Sequence, residues 1–80
     1  MNKNDILEKL QQVHMHIYEK SINNTDNFIN ISGDSLQHMN FAIFIQCEFE
    51  LDFTTQEFIE HNTLDLLADL IMTKKQIHEL

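Results

Sequence analysis

The chain has 80 residues, of which 42% are hydrophobic and 22% charged, a balance typical of a small globular protein. Five lysines oppose 13 acidic residues, and this formal net charge of −8 argues against nucleic-acid binding, which depends on clustered cations. The longest apolar run, residues 41–45, is far shorter than the ~20 residues of a membrane span. A single cysteine excludes an internal disulfide framework, and no secretory leader opens the chain, so we expect a cytoplasmic location. The length excludes a large catalytic α/β fold.

Helix boundaries are predicted from capping boxes, because the chain has no proline and only one glycine. In a capping box, the side chain of a short polar residue accepts a hydrogen bond from the backbone N–H three residues later. The acid or amide at that later position accepts one from the backbone N–H of the first residue. Four such pairs open segments of helical spacing: Asp5 with Glu8, Asp34 with Gln37, Thr54 with Glu57, and Asn62 with Asp65. Apolar stripes support the first and last helices: Ile6, Leu10, Val13 and Ile17, then Leu64, Leu67, Ala68 and Ile71. We therefore predict an all-α four-helix bundle whose third helix is short.

A long polar loop, residues 20–33, separates the first two predicted helices. We expect Phe28 and Ile31 to anchor it in the core, and loops of this length in compact domains are often functional. Further on, residues 45–53 alternate apolar and polar side chains as a strand would. Because no second strand could pair with this segment, we predict helix to about Glu50 and an extended exit over residues 51–53.

Asp34 and Ser35 follow the only glycine and stand at the predicted first turn of the second helix. A helix N-terminus has unsatisfied N–H groups and a partial positive charge, which favour a phosphate ester at this position. The same two residues also suit a plain helix cap, and these features alone leave both interpretations open.

Residues 28–36 read Phe-Ile-Asn-Ile-Ser-Gly-Asp-Ser-Leu. They resemble the attachment motif of phosphopantetheine carrier proteins, in particular the thiolation (peptidyl carrier) domains of nonribosomal peptide synthesis, where Phe-Phe-x-Leu-Gly-Gly-Asp-Ser-Leu is usual. Ile29, Ile31 and Ser32 depart mildly from that form. Residues 58–64 resemble the Leu-Phe-x-x-Pro-Thr-Val segment that opens the last helix of those domains, with Asn62 in place of proline. The resemblance covers about residues 6–71.

The resemblance implies a defined chemistry for Ser35. A separate phosphopantetheinyl transferase would use coenzyme A and Mg²⁺ to attach 4′-phosphopantetheine to its hydroxyl, and the thiol of that arm would carry an acyl or aminoacyl thioester. Asp34 would cap the helix and contact the transferase, and the chain itself would not be an enzyme. The other implied partners are an adenylation or acyl-loading enzyme and downstream condensing or transferring enzymes, which would meet a monomeric carrier.

The second predicted helix has two apolar stripes on nearly opposite sides, and a small bundle can bury only one of them. One stripe is Phe41, Ala42, Ile45 and Phe49, the other is Leu36, Met39, Ile43 and Cys47, and the periodicity does not decide which of them is buried. The resemblance implies that residues just after the serine face partner enzymes, so the first stripe is expected to be the inner one and the second the outer one. The predicted contact residues, none of them charged, are Leu36, Gln37, Met39, Asn40 and Ile43. We expect docking to depend on apolar contact, with the acidity affecting only the encounter rate. The alternative is that the long loop covers this stripe.

The histidines and the cysteine are the remaining candidates for chemistry. His14 and His16 are two positions apart and point to different faces of a helix, so they cannot bind one metal ion. We predict no metal site and expect all five histidines to be solvated or half-packed. Cys47 is expected to be an inert packing residue.

These features predict a single free-standing carrier domain over residues 1–80, because the chain begins with methionine and leaves no room for a neighbour. Its expected role is nonribosomal peptide or polyketide-type secondary-metabolite biosynthesis. A fatty-acid or D-alanyl carrier is an alternative. An alternative from another class is a small acidic helical adaptor in which Ser35 only caps a helix.

Overall fold

A computed structural model of the chain describes the backbone of residues 1–79 and the side chains of residues 1–76. Within this part of the chain the elements are α1 (Lys3–Tyr18), α2 (Phe28–Ile31), α3 (Ser35–Phe49), α4 (Thr55–Glu60) and α5 (Leu64–Glu79), with no strand. The predicted all-α bundle is confirmed, including its short helix α4. The element that the sequence did not reveal is α2, a one-turn helix inside the predicted loop.

Two of the four predicted helix starts are wrong. The cap of α1 is Asn2, whose side-chain oxygen accepts a hydrogen bond from the Asp5 N–H at 2.9 Å. At the start of α5, the Thr63 hydroxyl accepts from the Leu66 N–H at 3.0 Å, in place of the predicted cap at Asn62. The predicted boxes that open α3 and α4 are both present. Where several polar residues lie close together, the sequence alone does not decide which of them caps the helix.

The core forms where α1 packs against α5 and against the inner stripe of α3, and the predicted apolar stripes are confirmed there. At its centre the ring of Phe28 lies 5.2 Å from that of Phe41 and 5.3 Å from that of Phe58, centroid to centroid. These three rings join α2, α3 and α4. The buried hydrophobic side chains are Ile6, Leu10, Val13, Tyr18, Phe28, Phe41, Ile45, Phe49, Leu51, Phe58, Leu64, Leu67, Ala68 and Ile71.

The loop between α1 and α2 is fastened at several points. The Gln11 side chain on α1 donates a hydrogen bond to the Asn24 side-chain oxygen at 2.8 Å. Two backbone bonds then tie the loop to the α4–α5 junction, from the Asp65 N–H to the Asn24 carbonyl and from the Phe28 N–H to the Asn62 carbonyl, each 3.0 Å long. The loop is therefore held between α1 and the C-terminal half of the molecule.

The end of α2 corrects one predicted anchor. Phe28 is buried as expected, but Ile31 is 54% exposed. Ser32 turns inward in its place and is only 4% exposed, because its hydroxyl has a hydrogen-bond partner in the buried side chain of His14.

The C-terminal end of α3 lies close to the predicted position. Its last helical residue is Phe49, and Glu50 adopts a left-handed conformation with φ of 55°. Residues 51–54 are extended or irregular, which confirms the predicted exit from the helix. Among the described residues, none of the helices has the length and apolar character required to cross a membrane.

Candidate functional site

A complete capping box fixes the first turn of α3. The Asp34 carboxylate accepts a hydrogen bond from the Gln37 N–H at 2.9 Å, and the Gln37 side-chain oxygen accepts from the Asp34 N–H at 3.0 Å. Ser35 is the first helical residue and its side chain is exposed. Its hydroxyl therefore stands at the positive end of the α3 dipole, which stabilises an added negative charge.

Gly33, one residue before the cap, is required by close packing. A Cβ atom at this position would overlap the Gln37 side-chain oxygen and would lie 2.9 Å from Cδ1 of Tyr18. The second contact is with a ring whose side chain is 6% exposed, so it cannot move away easily. Glycine is therefore the residue that lets the Tyr18 ring pack against the turn leading into Ser35.

Tyr18 also bonds to His38, one turn after Ser35. The distance from the Tyr18 hydroxyl to His38 Nδ1 is 2.6 Å, and that from His38 Nε2 to the Ile29 carbonyl oxygen is 2.9 Å. A carbonyl oxygen only accepts, so Nε2 carries the proton and donates it, and in the neutral ring Nδ1 accepts from Tyr18. Burial, and then the nearby Asp34 charge, raise the pKa of the Tyr18 phenol well above its usual value, so the phenol keeps the proton that it donates.

His14 overturns the expectation that all five histidines are solvated or half-packed. Its side chain is fully buried, and its Nδ1 donates to the Lys20 carbonyl oxygen at 2.8 Å. With that proton on Nδ1, the Ser32 hydroxyl donates to Nε2 at 2.7 Å. Burial lowers the pKa of the His14 ring, which favours the neutral form that this arrangement requires.

An open groove of about 410 Å³ lies beside Ser35, between α2, α3 and α4. Its walls are mostly apolar, and its lining residues are Ile29, Ser35, His38, Met39, Ala42, Thr55 and Ile59. An exposed hydroxyl, a helix N-terminus and an open groove next to it are compatible with a phosphate ester that bears a long substituent. The residues present therefore fit such a group on Ser35.

The outer stripe of α3 is open to solvent. The side chains of Leu36, Met39 and Ile43 are 66%, 58% and 54% exposed, and Asn40 is exposed as well. The alternative in which the loop covers this stripe is therefore wrong. Gln37 differs from the other predicted contact residues, because it is half-buried and takes part in the capping box.

Cys47 is also exposed, so the prediction that it is a packing residue is wrong. It belongs to the outer stripe, which no described element covers. Within the described part of the chain, no group of three His, Cys, Asp or Glu side chains could hold a metal ion.

Sequence reasoning missed four residues that support the site: His14, Tyr18, Ser32 and His38. Tyr18 continues the buried side of α1, but its hydroxyl partner lies twenty residues away, on α3. His14 and Ser32 meet only after the loop has folded back. The only available signal in the sequence was that His14 and Tyr18 lie on the apolar side of α1.

A family model described as a phosphopantetheine attachment site matches residues 5–71. The chain belongs to this family. Domains of the family carry covalently attached 4′-phosphopantetheine, which confirms the predicted cofactor, and they are carriers that do not themselves catalyse reactions. Neither the curated proteins nor the solved structures gave a match to the chain.

Proposed function

We propose that Ser35 bears the 4′-phosphopantetheine group and that the domain passes acyl or aminoacyl thioesters between partner enzymes. The observation that carries this proposal is the exposed Ser35 side chain at the first position of α3, directly after its N-cap Asp34 and inside the region that matches the family. The groove beside Ser35 leaves space for a substituent on its hydroxyl.

The modification is a phosphoryl-group transfer from coenzyme A. The Ser35 oxygen forms a phosphodiester bond with phosphorus while the phosphoanhydride bond of coenzyme A breaks, and adenosine 3′,5′-bisphosphate leaves. The hydroxyl proton passes to a base of the transferase. Asp34 holds the first turn of α3 in place through its bond to the Gln37 N–H, and its exposed side chain is proposed to contact the transferase.

The proposed setting is nonribosomal peptide or polyketide-type biosynthesis, with residues 1–80 acting as one free-standing, monomeric carrier in the cytoplasm. Its partners would be an adenylation or acyl-loading enzyme and a condensing or transferring enzyme. The support is the resemblance of the attachment motif to peptidyl carriers and the lack of any Asp, Glu, Lys or Arg between Asp34 and Glu48. A fatty-acid or D-alanyl carrier is the alternative within the family.

The direct test is to incubate the protein with coenzyme A, Mg²⁺ and a broad-specificity phosphopantetheinyl transferase, and to measure the intact mass. We expect a gain of one phosphopantetheine in the wild type and none in Ser35→Ala. Ser21→Ala, which removes another exposed serine, is the matched control and should be modified normally. If several transferases leave the wild type unmodified, a small helical adaptor in which Ser35 only caps α3 becomes the better interpretation.

The outer stripe is proposed as the docking face for partner enzymes, with Leu36, Gln37, Met39, Asn40 and Ile43 as contact residues. Because the outer stripe carries no charge, transferase affinity should change little across a salt series. Because the proposed contact is apolar, affinity should weaken in Met39→Ala. Met15→Ala is the control, since Met15 on α1 is 47% exposed, compared with 58% for Met39. Affinity that collapses with salt and ignores Met39→Ala would contradict an apolar docking face.

A further inference from the structure

We infer that Tyr18 and His38 are positioning residues for the modification of Ser35, an inference that rests on the proposed function. The two side chains come from α1 and α3 and join through a hydrogen bond of 2.6 Å. Neither residue belongs to the attachment motif, and each lies close to Ser35 in the fold.

Tyr18 contacts residues on both sides of Ser35. Its ring packs against Gly33, two residues before the serine, so closely that a Cβ there would lie 2.9 Å from the ring. Its hydroxyl bonds to His38, three residues after the serine. Residues on both sides of Ser35 are thus held by one buried side chain that belongs to a different helix.

His38 extends this support to the wall of the groove. Its Nε2 donates to the Ile29 carbonyl oxygen in α2, and the side chains of Ile29, Ser35 and His38 all line the groove. The chain of bonds runs from the Tyr18 hydroxyl through the His38 ring to α2. It therefore sets the position of α2 relative to the first turn of α3, which determines the space next to the Ser35 hydroxyl.

The effect of these hydrogen bonds on the modification of Ser35 can be separated from the effect of side-chain packing. Tyr18 also contacts the rings of His14 and Phe41, with centroids 4.5 and 5.3 Å away. Phenylalanine at position 18 would preserve these ring contacts and remove only the hydroxyl. A small displacement of a reacting group costs much of the rate, because reaction requires close alignment with the attacked atom. Loss of the hydroxyl should therefore affect the modification rate more than the binding of the transferase.

The experiment measures the steady-state kinetics of Ser35 modification for wild type, Tyr18→Phe, His38→Leu and His38→Gln. We expect Tyr18→Phe and His38→Leu to lower kcat roughly tenfold with KM nearly unchanged. His38→Gln should recover much of the loss, because its amide N–H can still donate to the Ile29 carbonyl.

The control is Gln46→Leu, which removes hydrogen bonds at the far end of α3. There the Gln46 side chain donates to the Ala42 carbonyl and accepts from the Phe53 N–H, at 3.2 and 3.1 Å. We expect this variant to lose stability and to keep the wild-type kcat. Equal kcat in Tyr18→Phe and wild type would overturn the inference, as would an equal loss in Gln46→Leu.

A second measurement needs no transferase. Hydrogen exchange of the backbone amides of residues 33–38 should rise roughly tenfold in Tyr18→Phe relative to those of α5, because the first turn of α3 loses its support. Unchanged exchange there would contradict the inference even if the kinetics changed. If the wild type itself gains no phosphopantetheine, the proposed function fails. If the wild type is modified and the variants behave like it, only the positioning role fails.

Discussion

The two sides of α3 are built from the same kinds of residue but differ fully in burial. Phe41 on the inner side is 0% exposed, whereas Leu36 and Ile43 on the outer side are 66% and 54% exposed. The difference comes from the neighbours, since Phe28 of α2 and Phe58 of α4 both pack against the inner side. An apolar period predicts that a helix has a stripe, but the rest of the fold determines which stripe is buried.

The largest expected effect tests this difference directly. Phe41→Ala should lower the free energy of unfolding by about 3–5 kcal/mol, because it empties the centre of the aromatic cluster. Ile43→Ala on the outer side should change it by about 0.5 kcal/mol or less. Urea denaturation followed by circular dichroism measures both. Similar losses in the two variants would show that the burial of the two sides is assigned wrongly.

The next effect is expected at Gly33, in the turn that leads into α3. Gly33→Ala should cost about 1–3 kcal/mol, because the added methyl group meets the Tyr18 ring and the Gln37 side chain. Asn30→Ala is the control at an exposed position in the same segment. A Gly33→Ala variant as stable as wild type in urea would mean that the turn relaxes without loss.

A smaller effect is expected at the cap itself. Asp34→Ala should cost about 1 kcal/mol, since the N–H of Gln37 then loses its partner. Asp34→Asn keeps an accepting oxygen at the same place and should be close to wild type in thermal unfolding. If Asp34→Asn loses as much as Asp34→Ala, the charge of Asp34 and not its hydrogen bond stabilises the helix.

The smallest expected effect is the loss of folding stability in mild acid, which comes from the buried side chain of His14. Because the pKa of His14 in the folded state lies below its ordinary value of 6.5, the unfolded chain binds a proton there first. Stability should therefore be fully present above about pH 6.5 and should fall as the pH drops below it. The carboxylate of Glu57, whose pKa is lowered mainly by the Thr54 N–H, stabilises the fold above its ordinary value of 4.5 and loses this contribution only as the pH falls below that value.

Urea midpoints measured between about pH 7.5 and 5.5 check this dependence. The His16→Gln variant should show the same decline, because His16 is exposed, unlike His14. An NMR titration that gives His14 a pKa at or above the ordinary 6.5 would contradict the prediction.

The sequence predicted the long helices and the two apolar stripes of α3 because each of them repeats over several turns, whereas the choice of the buried stripe came from the family resemblance. It could not reveal α2, since a helix of four residues is too short to show a period. The choice of cap at α1 was also beyond it, because Asn2 and Asp5 are both good caps and lie three residues apart. Tertiary packing resolved what local preference left undecided.

The site was predictable to the same extent. The motif around Asp34 and Ser35 is contiguous, so its geometry at the start of α3 follows from local capping rules. The supports from His14 and Tyr18 depend on contacts between residues far apart in sequence, with Ser32 and His38. No local pattern encodes such pairs, and histidine has only an intermediate tendency to be buried.

The backbone bonds that tie the loop to the α4–α5 junction bear on the order of events during synthesis. Asn24 and Phe28 emerge from the ribosome well before Asn62 and Asp65, their hydrogen-bond partners. Until those later residues are made, the loop before Ser35 lacks its attachment to the C-terminal half. A nascent or truncated chain that ends within α4 would thus contain the whole attachment motif in a weakly ordered state. We therefore expect the segment around Ser35 to become fully ordered only after the first turn of α5 has been made.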